Sequence, residues 1–386
     1  MAETDASRVV YFDHAATSWP KPDVVLDAMQ RAMHDAGGNP GRGAHRLAVA
    51  ASRTILEARG AVAGLLGVAE PRNIVFTAGC TEGLNVAIKG LIRRGDRVVV
   101  SSMEHNAVAR PLNMLAAAGV IVDVVRADEY GNVDADAVEL AVAERETRAV
   151  ICQHASNVTG SIQPVGDLAD IAHDAGAVLI VDGAQATGHL RVDVGALGAD
   201  VYASSGHKGL LGPQGVGILY LSSDIDPDEL VQGGSGGNSE EPMQPRLRPD
   251  RYEAGTSNTP GIAGLGAAAR YLAVHGDELR VLEGELTSRM HEGLLGIEGL
   301  RVLGPLPGEE RVPVISVVHE RIDGDRIAFE LDRRYGIAVR AGLHCAPWAH
   351  NTVGTLDSGA LRFGIGYGLT SADVDYALDA MREICA

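Results

Sequence analysis

Four cysteines in 386 residues (Cys80, Cys152, Cys345 and Cys385) are too few and too scattered for a disulfide framework, and no C-x-x-C pair points to zinc. Basic residues are also short. The 33 Lys and Arg against 51 Asp and Glu leave a formal charge of −18, which argues against a nucleic-acid partner. No apolar run approaches the ~18 residues that a membrane span requires. The opening MAETDASRVV is acidic and polar, without the apolar stretch of a secretory signal. Aromatic residues make up only 4% of the chain, so the core must be built from Ala, Val, Leu and Ile. Together these shortages point to a soluble protein of the reducing cytoplasm, with no membrane or nucleic-acid role and no metal site.

What is present is a globular composition, 46% hydrophobic and 22% charged, with length enough for two to three domains. Glycine is over-used, at 48 residues or about 12% against the usual ~7%. Short runs rich in Val and Ile lie at 73–77, 97–101, 120–125, 149–154, 177–182 and 215–221. Helix-period segments at about 82–94, 106–118, 134–145 and 165–175 separate the first five. Near-continuous apolar strands alternating with helices predict a mainly parallel sheet covered on both faces. A polar Gly/Pro-rich stretch from 232 to 254 reads as a long loop. Beyond it, helices at 260–273 and 277–295, strands at 312–318, 337–340 and 361–365, and a helix from about 371 suggest a smaller α+β domain. Helices at 21–35 and 45–66 pack with it or bridge the two.

Four segments carry candidate chemistry. Asp182 ends an apolar strand, where open α/β sheets bind their ligands. Lys208 follows His207 beside a glycine-rich turn, where desolvation turns a lysine into a Schiff-base nucleophile. A strand-end carboxylate can pair with the protonated pyridine nitrogen of pyridoxal phosphate. Either residue alone is as readily a capping aspartate or a solvated lysine; with Gln185, Ser205 and His207 around them the pair is more telling. Gly79-Cys80-Thr81 opens a helix, a geometry that suits a monophosphate and equally a plain capped helix. His105 sits between a strand and a helix, able to stack on a ring and move protons or simply to cap. Cys345 follows Gly342 and His344. A nearby imidazole and arginines would lower a thiol's pKa, and Gly342, Gly354 and Gly359 would let its loop move. No G-x-G-x-x-G follows a first strand, which speaks against a nicotinamide dehydrogenase.

In order along the chain, HAAT (14–17), NPGRGAHRLA (39–48), TAGCTEGLN (77–85), MEHNA (103–107), ASNVTG (155–160), VDGAQ (181–185), SSGHKG (204–209), YEAGTSNTP (252–260) and RAGLHCAP (340–347) resemble the pyridoxal-phosphate-dependent cysteine desulfurases of the class V aminotransferase fold. The nearer match is the SufS-like branch that includes selenocysteine lyases. The resemblance implies fold type I: a large domain with a mainly parallel seven-stranded sheet plus a smaller α+β domain. It implies an arm at 1–20, a cofactor-binding domain at 21–255, and linker helices with a small domain at 256–386 that carries the cysteine loop (341–360). By the same resemblance Lys208 holds the cofactor, Asp182 keeps its ring nitrogen protonated and His105 stacks over it. Gln185 and Asn157 lie near its phenolic oxygen. Thr81, Ser205, His207 and the backbone of Cys80 hold the phosphate, completed by Gly255 and Thr256 of a partner subunit in a homodimer. Arg362 clamps the substrate carboxylate, with Arg340 and Arg42 as further substrate-side candidates. The implied reaction converts L-cysteine to alanine, leaves sulfur on Cys345 and passes it to an acceptor protein, with iron–sulfur cluster assembly the family's default. A selenocysteine lyase, or another class V lyase or aminotransferase, is the alternative.

Overall fold

The computed structural model describes residues 9–41, 43–235 and 240–386. Strand β1 (Val10–Tyr11) and helices α1 (Asp23–Asp35) and α2 (Arg46–Leu65) come first. Alternation follows: β2 (Ile74–Thr77), α3 (Cys80–Leu91), β3 (Arg97–Ser101), α4 (Asn106–Ala117), β4 (Ile121–Val125), α5 (Ala135–Ala143), β5 (Ala149–Gln153), α6 (Val165–Asp174) and β6 (Val178–Asp182). Then come β7 (Val201–Ser205), β8 (Gly217–Leu221) and α7 (Thr259–Leu295). The chain closes with β9 (Leu300–Leu303), β10 (Val314–His319), α8 (Gly324–Tyr335), β11 (Ile337–Ala338), β12 (Arg340–Gly342), α9 (Pro347–Thr352), β13 (Ala360–Gly364) and α10 (Ser371–Cys385).

The large sheet has seven strands in the order β2-β8-β7-β6-β5-β3-β4, all parallel except β8, which runs against both neighbours. Strands β3, β5, β6 and β7 are buried along their whole length. Successive residues therefore feed two cores: Val99, Val150, Leu179 and Tyr202 face one, and Val98, Ile151, Ile180 and Val201 the other. This double burial is why the strands read as unbroken apolar runs. A second, antiparallel sheet, β12-β13-β10-β9, has its own core with α10 and the end of α7.

The structure changes three expectations. Strand β7 was not among the six apolar runs, because Tyr202, Ser204 and Ser205 break the pattern; the Tyr202 hydroxyl is satisfied by His154 Nδ1 at 3.0 Å. The two helices expected at 260–273 and 277–295 are one helix, α7. Its first half packs Ile262, Leu265 and Leu272 into the large-sheet core and its second half packs Leu286, Met290 and Leu294 into the small one. The change of buried partner near Gly276, rather than a break, interrupts the periodicity. Third, the stretch after Cys345 contains helix α9. Between Leu221 and Thr259 the described residues form no helix or strand, as the loop expectation required.

Candidate active site

In-register pairing puts Gln153 beside Asp182 and Asp182 beside Ala203, so the carboxyl ends of β5, β6 and β7 line up at one edge of the sheet. The turns leaving that edge supply Asn157 after β5, Gln185 after β6, and His207 and Lys208 after β7. Those leaving β2 and β3 supply Cys80, Thr81 and His105. All of these, with Ser205, line one cavity of about 210 Å³. The small sheet closes it: Arg340 pairs with Arg362 across β12 and β13, and both reach the cavity together with Cys345.

Asp182 accepts two hydrogen bonds on Oδ1, from the Cys80 thiol at 3.3 Å and the Ala184 N–H at 2.9 Å. Burial lowers the Lys208 pKa, Asp182 and Cys80 oppose that shift, and Arg362 and Arg340 add to it. An amine so placed is readily freed of its proton, as Schiff-base formation requires. The two carbonyls at the Lys208 turn are held from the N-terminal segment. The His207 carbonyl accepts from Ser18 N–H and Lys21 Nζ, both at 2.9 Å, and the Lys208 carbonyl from Ser18 Oγ at 2.9 Å. His105 Nδ1 accepts the Ala107 N–H at 3.0 Å, which assigns the ring proton to Nε2. Burial first, then the Lys208 charge, push this histidine down to about 4, so the ring is neutral at pH 7.

Cys345 is exposed at the mouth of the cavity, on a tight turn. His344 and Cys345 both have positive φ, 49° and 58°, a conformation that costs a non-glycine residue on the order of 1 kcal/mol. Three hydrogen bonds hold it: Ala346 N–H to the Leu343 carbonyl, Asn157 Nδ2 to the His344 carbonyl, and Asn106 N–H to the Cys345 carbonyl, each at 2.8 Å. Arg340 Nη2 stands 4.0 Å from the sulfur. Arg362, 1% exposed, donates to the Asn157 carbonyl at 3.1 Å and to Asp13 at 3.0 Å, while its Nε has no partner.

One expectation is corrected by this geometry. His344 does not serve the thiol. Its Nε2 lies 3.0 Å from the Ala360 carbonyl, and burial pushes its pKa far down, so no imidazolium stands beside the sulfur. Gly342, Gly354 and Gly359 all have positive φ, so glycine is needed there for backbone shape. Gly255 and Thr256 do not reach the cavity of their own chain; Thr256 lines a separate one of about 240 Å³ with Glu82 and Tyr252. Arg42 lies outside the described residues. Sequence reasoning missed Gln153, which lines the cavity, Asp13, the partner of Arg362, and Glu104 beneath the site. Glu104 is fully buried, accepts the Gln153 N–H at 2.9 Å, and is raised to about 8 chiefly by burial. Its place in MEHNA was the available signal. Among the described residues no group of His, Cys, Asp or Glu side chains is arranged to hold a metal ion, and no helix is long and apolar enough to cross a membrane.

The residues present fit pyridoxal phosphate. Six buried polar atoms of cavity-lining side chains have no protein partner among the described residues: His344 Nδ1 and Arg362 Nε on the small-sheet side, and Gln153 Nε2, Asn157 Oδ1, Gln185 Oε1 and His207 Nδ1 at the ends of the large-sheet strands. Buried groups of this kind require partners, and a ligand carrying a phosphate, a pyridine ring and a phenolic oxygen would supply them to the four at the large sheet.

Comparison with known proteins agrees. The aminotransferase class-V family model matches residues 10–377, and the chain belongs to that family. It is 38% identical over 382 residues to a probable cysteine desulfurase of Methanothermobacter thermautotrophicus, covering 97% of this chain and 94% of the relative. It is 37% identical to a cysteine desulfurase of Synechococcus elongatus over 88% of this chain, but spans only 55% of that longer protein. The apo structure of a cysteine desulfurase from Thermococcus onnurineus superposes with a TM-score of 0.91 at 33% identity, over 98% of this chain and 94% of the other.

Proposed function

We propose that this chain is a pyridoxal-phosphate-dependent cysteine desulfurase that turns L-cysteine into L-alanine and hands the sulfur to an acceptor through Cys345. The observation that carries the reading is the convergence of a half-buried lysine, a buried aspartate and an exposed thiol on one cavity. Lys208 and Asp182 would hold the cofactor's aldehyde carbon and ring nitrogen. Thr81, Ser205, His207 and the first turn of α3 would hold its phosphate, and Gln185 and Asn157 would face its phenolic oxygen. Once bound, the cofactor supplies an electron sink for charge developing at the substrate's α-carbon.

The remaining work belongs to the chain. Arg362 holds the substrate carboxylate as a planar, charge-assisted donor. Neutral His105 keeps a proton on Nε2 over the cavity and can release or take one there. Cys345, as thiolate, attacks the substrate sulfur. An S–S bond forms, the C–S bond breaks with its electron pair left on carbon, and a proton completes the methyl group of alanine. Arg340 Nη2 stands 4.0 Å from the Cys345 sulfur. The persulfide stands on an exposed turn, open to an acceptor protein such as one serving iron–sulfur cluster assembly.

Gly255 and Thr256 do not line their own chain's cavity, which supports a homodimer in which each subunit completes the other's phosphate site. The same reading divides the chain into an arm at 1–20, a cofactor-binding domain at 21–255, and a linker helix with a small domain at 256–386. It places the protein in the cytoplasm, where an exposed thiol stays reduced.

The test is alanine released per enzyme from L-cysteine and a reductant, with Cys345→Ala alongside. Alanine from the parent alone supports the reading. Alanine from both shifts it to an elimination that needs no thiol, as in a selenocysteine-lyase-like enzyme. None from either, in protein that binds the cofactor, overturns the substrate assignment.

A further inference from the structure

Cys80 has a backbone role in the reading above, but its sulfur is engaged elsewhere. The thiol is buried at 4% exposure, lines the cavity, and spends its proton on Asp182 Oδ1. The Ala184 N–H occupies the same oxygen, while Oδ2 accepts no hydrogen bond among the described residues. Two donors on one oxygen, one from the start of α3 and one from the turn after β6, fix the carboxylate's rotation about its terminal torsion, which is broad when unconstrained.

We infer that Cys80 is a positioning residue, its thiol orienting the Asp182 carboxylate so that Oδ2 is presented to the cationic ring nitrogen of a bound pyridine cofactor. The inference rests on the cofactor assignment made above and adds a role for the sulfur itself. Burial and the Asp182 charge raise the Cys80 pKa, so the group remains a thiol, and therefore a donor, across the working pH range. The Gly79 turn sets its position, because Cys80 is the first residue of α3 and cannot move without moving the helix.

The experiment compares the parent with Cys80→Val, which keeps much of the volume and removes the donor, Cys80→Ala, and Cys80→Ser, which restores a donor. Two quantities are read: the dissociation constant of pyridoxal phosphate for apoprotein, and the pH midpoint of the bound cofactor's visible band. Melting temperatures of the apoproteins serve as a folding control. Losing a hydrogen bond to a charged group should weaken cofactor binding about tenfold in the Val and Ala variants. A carboxylate that holds the ring's positive charge less well leaves the cofactor's bond to Lys208 more basic. The pH midpoint should therefore rise in Val and Ala and return toward the parent in Ser. Parent-like values in Ala overturn the inference, and so does a Ser variant as weak as Val, since the sulfur would then act by packing alone. Should Val fail to fold, Ala and Ser decide. If the parent itself binds no pyridoxal phosphate, the functional reading fails, a result distinct from either of these.

Discussion

Arg362 and Asp13 lie 349 residues apart in sequence and meet at 3.0 Å beside the cavity. The pair ties the N-terminal segment to β13 and leaves Arg362 Nε without a protein partner among the described residues, available to the substrate carboxylate proposed above. Burial lowers the Arg362 pKa and Asp13 opposes that shift, so the carboxylate keeps a buried guanidinium charged. Arg362→Lys keeps the charge and loses the planar fork. We expect kcat/KM for L-cysteine to fall about 100-fold, the equivalent of roughly 2.7 kcal/mol, with most of the loss in KM. A loss confined to kcat would remove Arg362 from substrate binding.

Lys21 bears on Lys208 through the backbone. Its amine donates to the His207 carbonyl and to Ser18 Oγ at 2.7 Å, and Ser18 in turn holds the Lys208 carbonyl. Lys21→Met removes two of these bonds, at about 1 kcal/mol each. The turn that presents His207 and Lys208 should loosen, and pyridoxal phosphate should leave the variant several times faster on dilution. An unchanged release rate, in protein with a lowered melting temperature, would mean that the clamp serves only folding.

Glu104 sets a pH dependence of opposite sign to the usual carboxylate. Its folded pKa, about 8, lies above the unfolded value, so its stabilising contribution is complete below about 4.5 and is lost as pH rises through 8. Within that window one proton costs up to about 1.4 kcal/mol per pH unit. Glu104→Gln keeps an acceptor for the Gln153 N–H and cannot ionise. Its unfolding midpoint should fall less than the parent's between pH 6 and pH 8.5, as thermal unfolding of apoprotein at the two pH values would show. Parallel curves would place the proton elsewhere.

The large sheet was legible because strands buried on both faces leave a continuous apolar record. The cavity residues carried by the large sheet stood out because they follow the carboxyl end of such a strand or open the next helix. What the linear order hides is contact made by folding. Asp13 carries no mark of its partner in β13. Arg340 and Arg362 become neighbours only through the register of β12 and β13. Adjacency also misled: His344 precedes Cys345, yet successive positive φ values send its ring toward Ala360 and away from the thiol. Lys208, Asp182 and Cys345, which line one cavity, stand in local motifs, while Glu104 is marked by its burial alone.

The dimer reading turns on Glu253. Its carboxylate takes Arg59 on both oxygens, at 2.6 and 2.8 Å, and the Phe76 N–H at 2.6 Å, all largely buried. Two and three residues further on stand Gly255 and Thr256, proposed to complete the partner's phosphate site. Glu253→Gln would leave the Arg59 guanidinium buried without a counter-charge, a loss of about 3–5 kcal/mol in comparable pairs. The damage should appear at the interface as well as in the fold. The variant should dissociate at protein concentrations where the parent sediments as a dimer, and its cofactor occupancy should fall with dilution. A parent that sediments as a monomer and still retains the cofactor would sink the shared site outright. A variant that melts lower but stays dimeric would restrict Glu253 to holding α2 against β2.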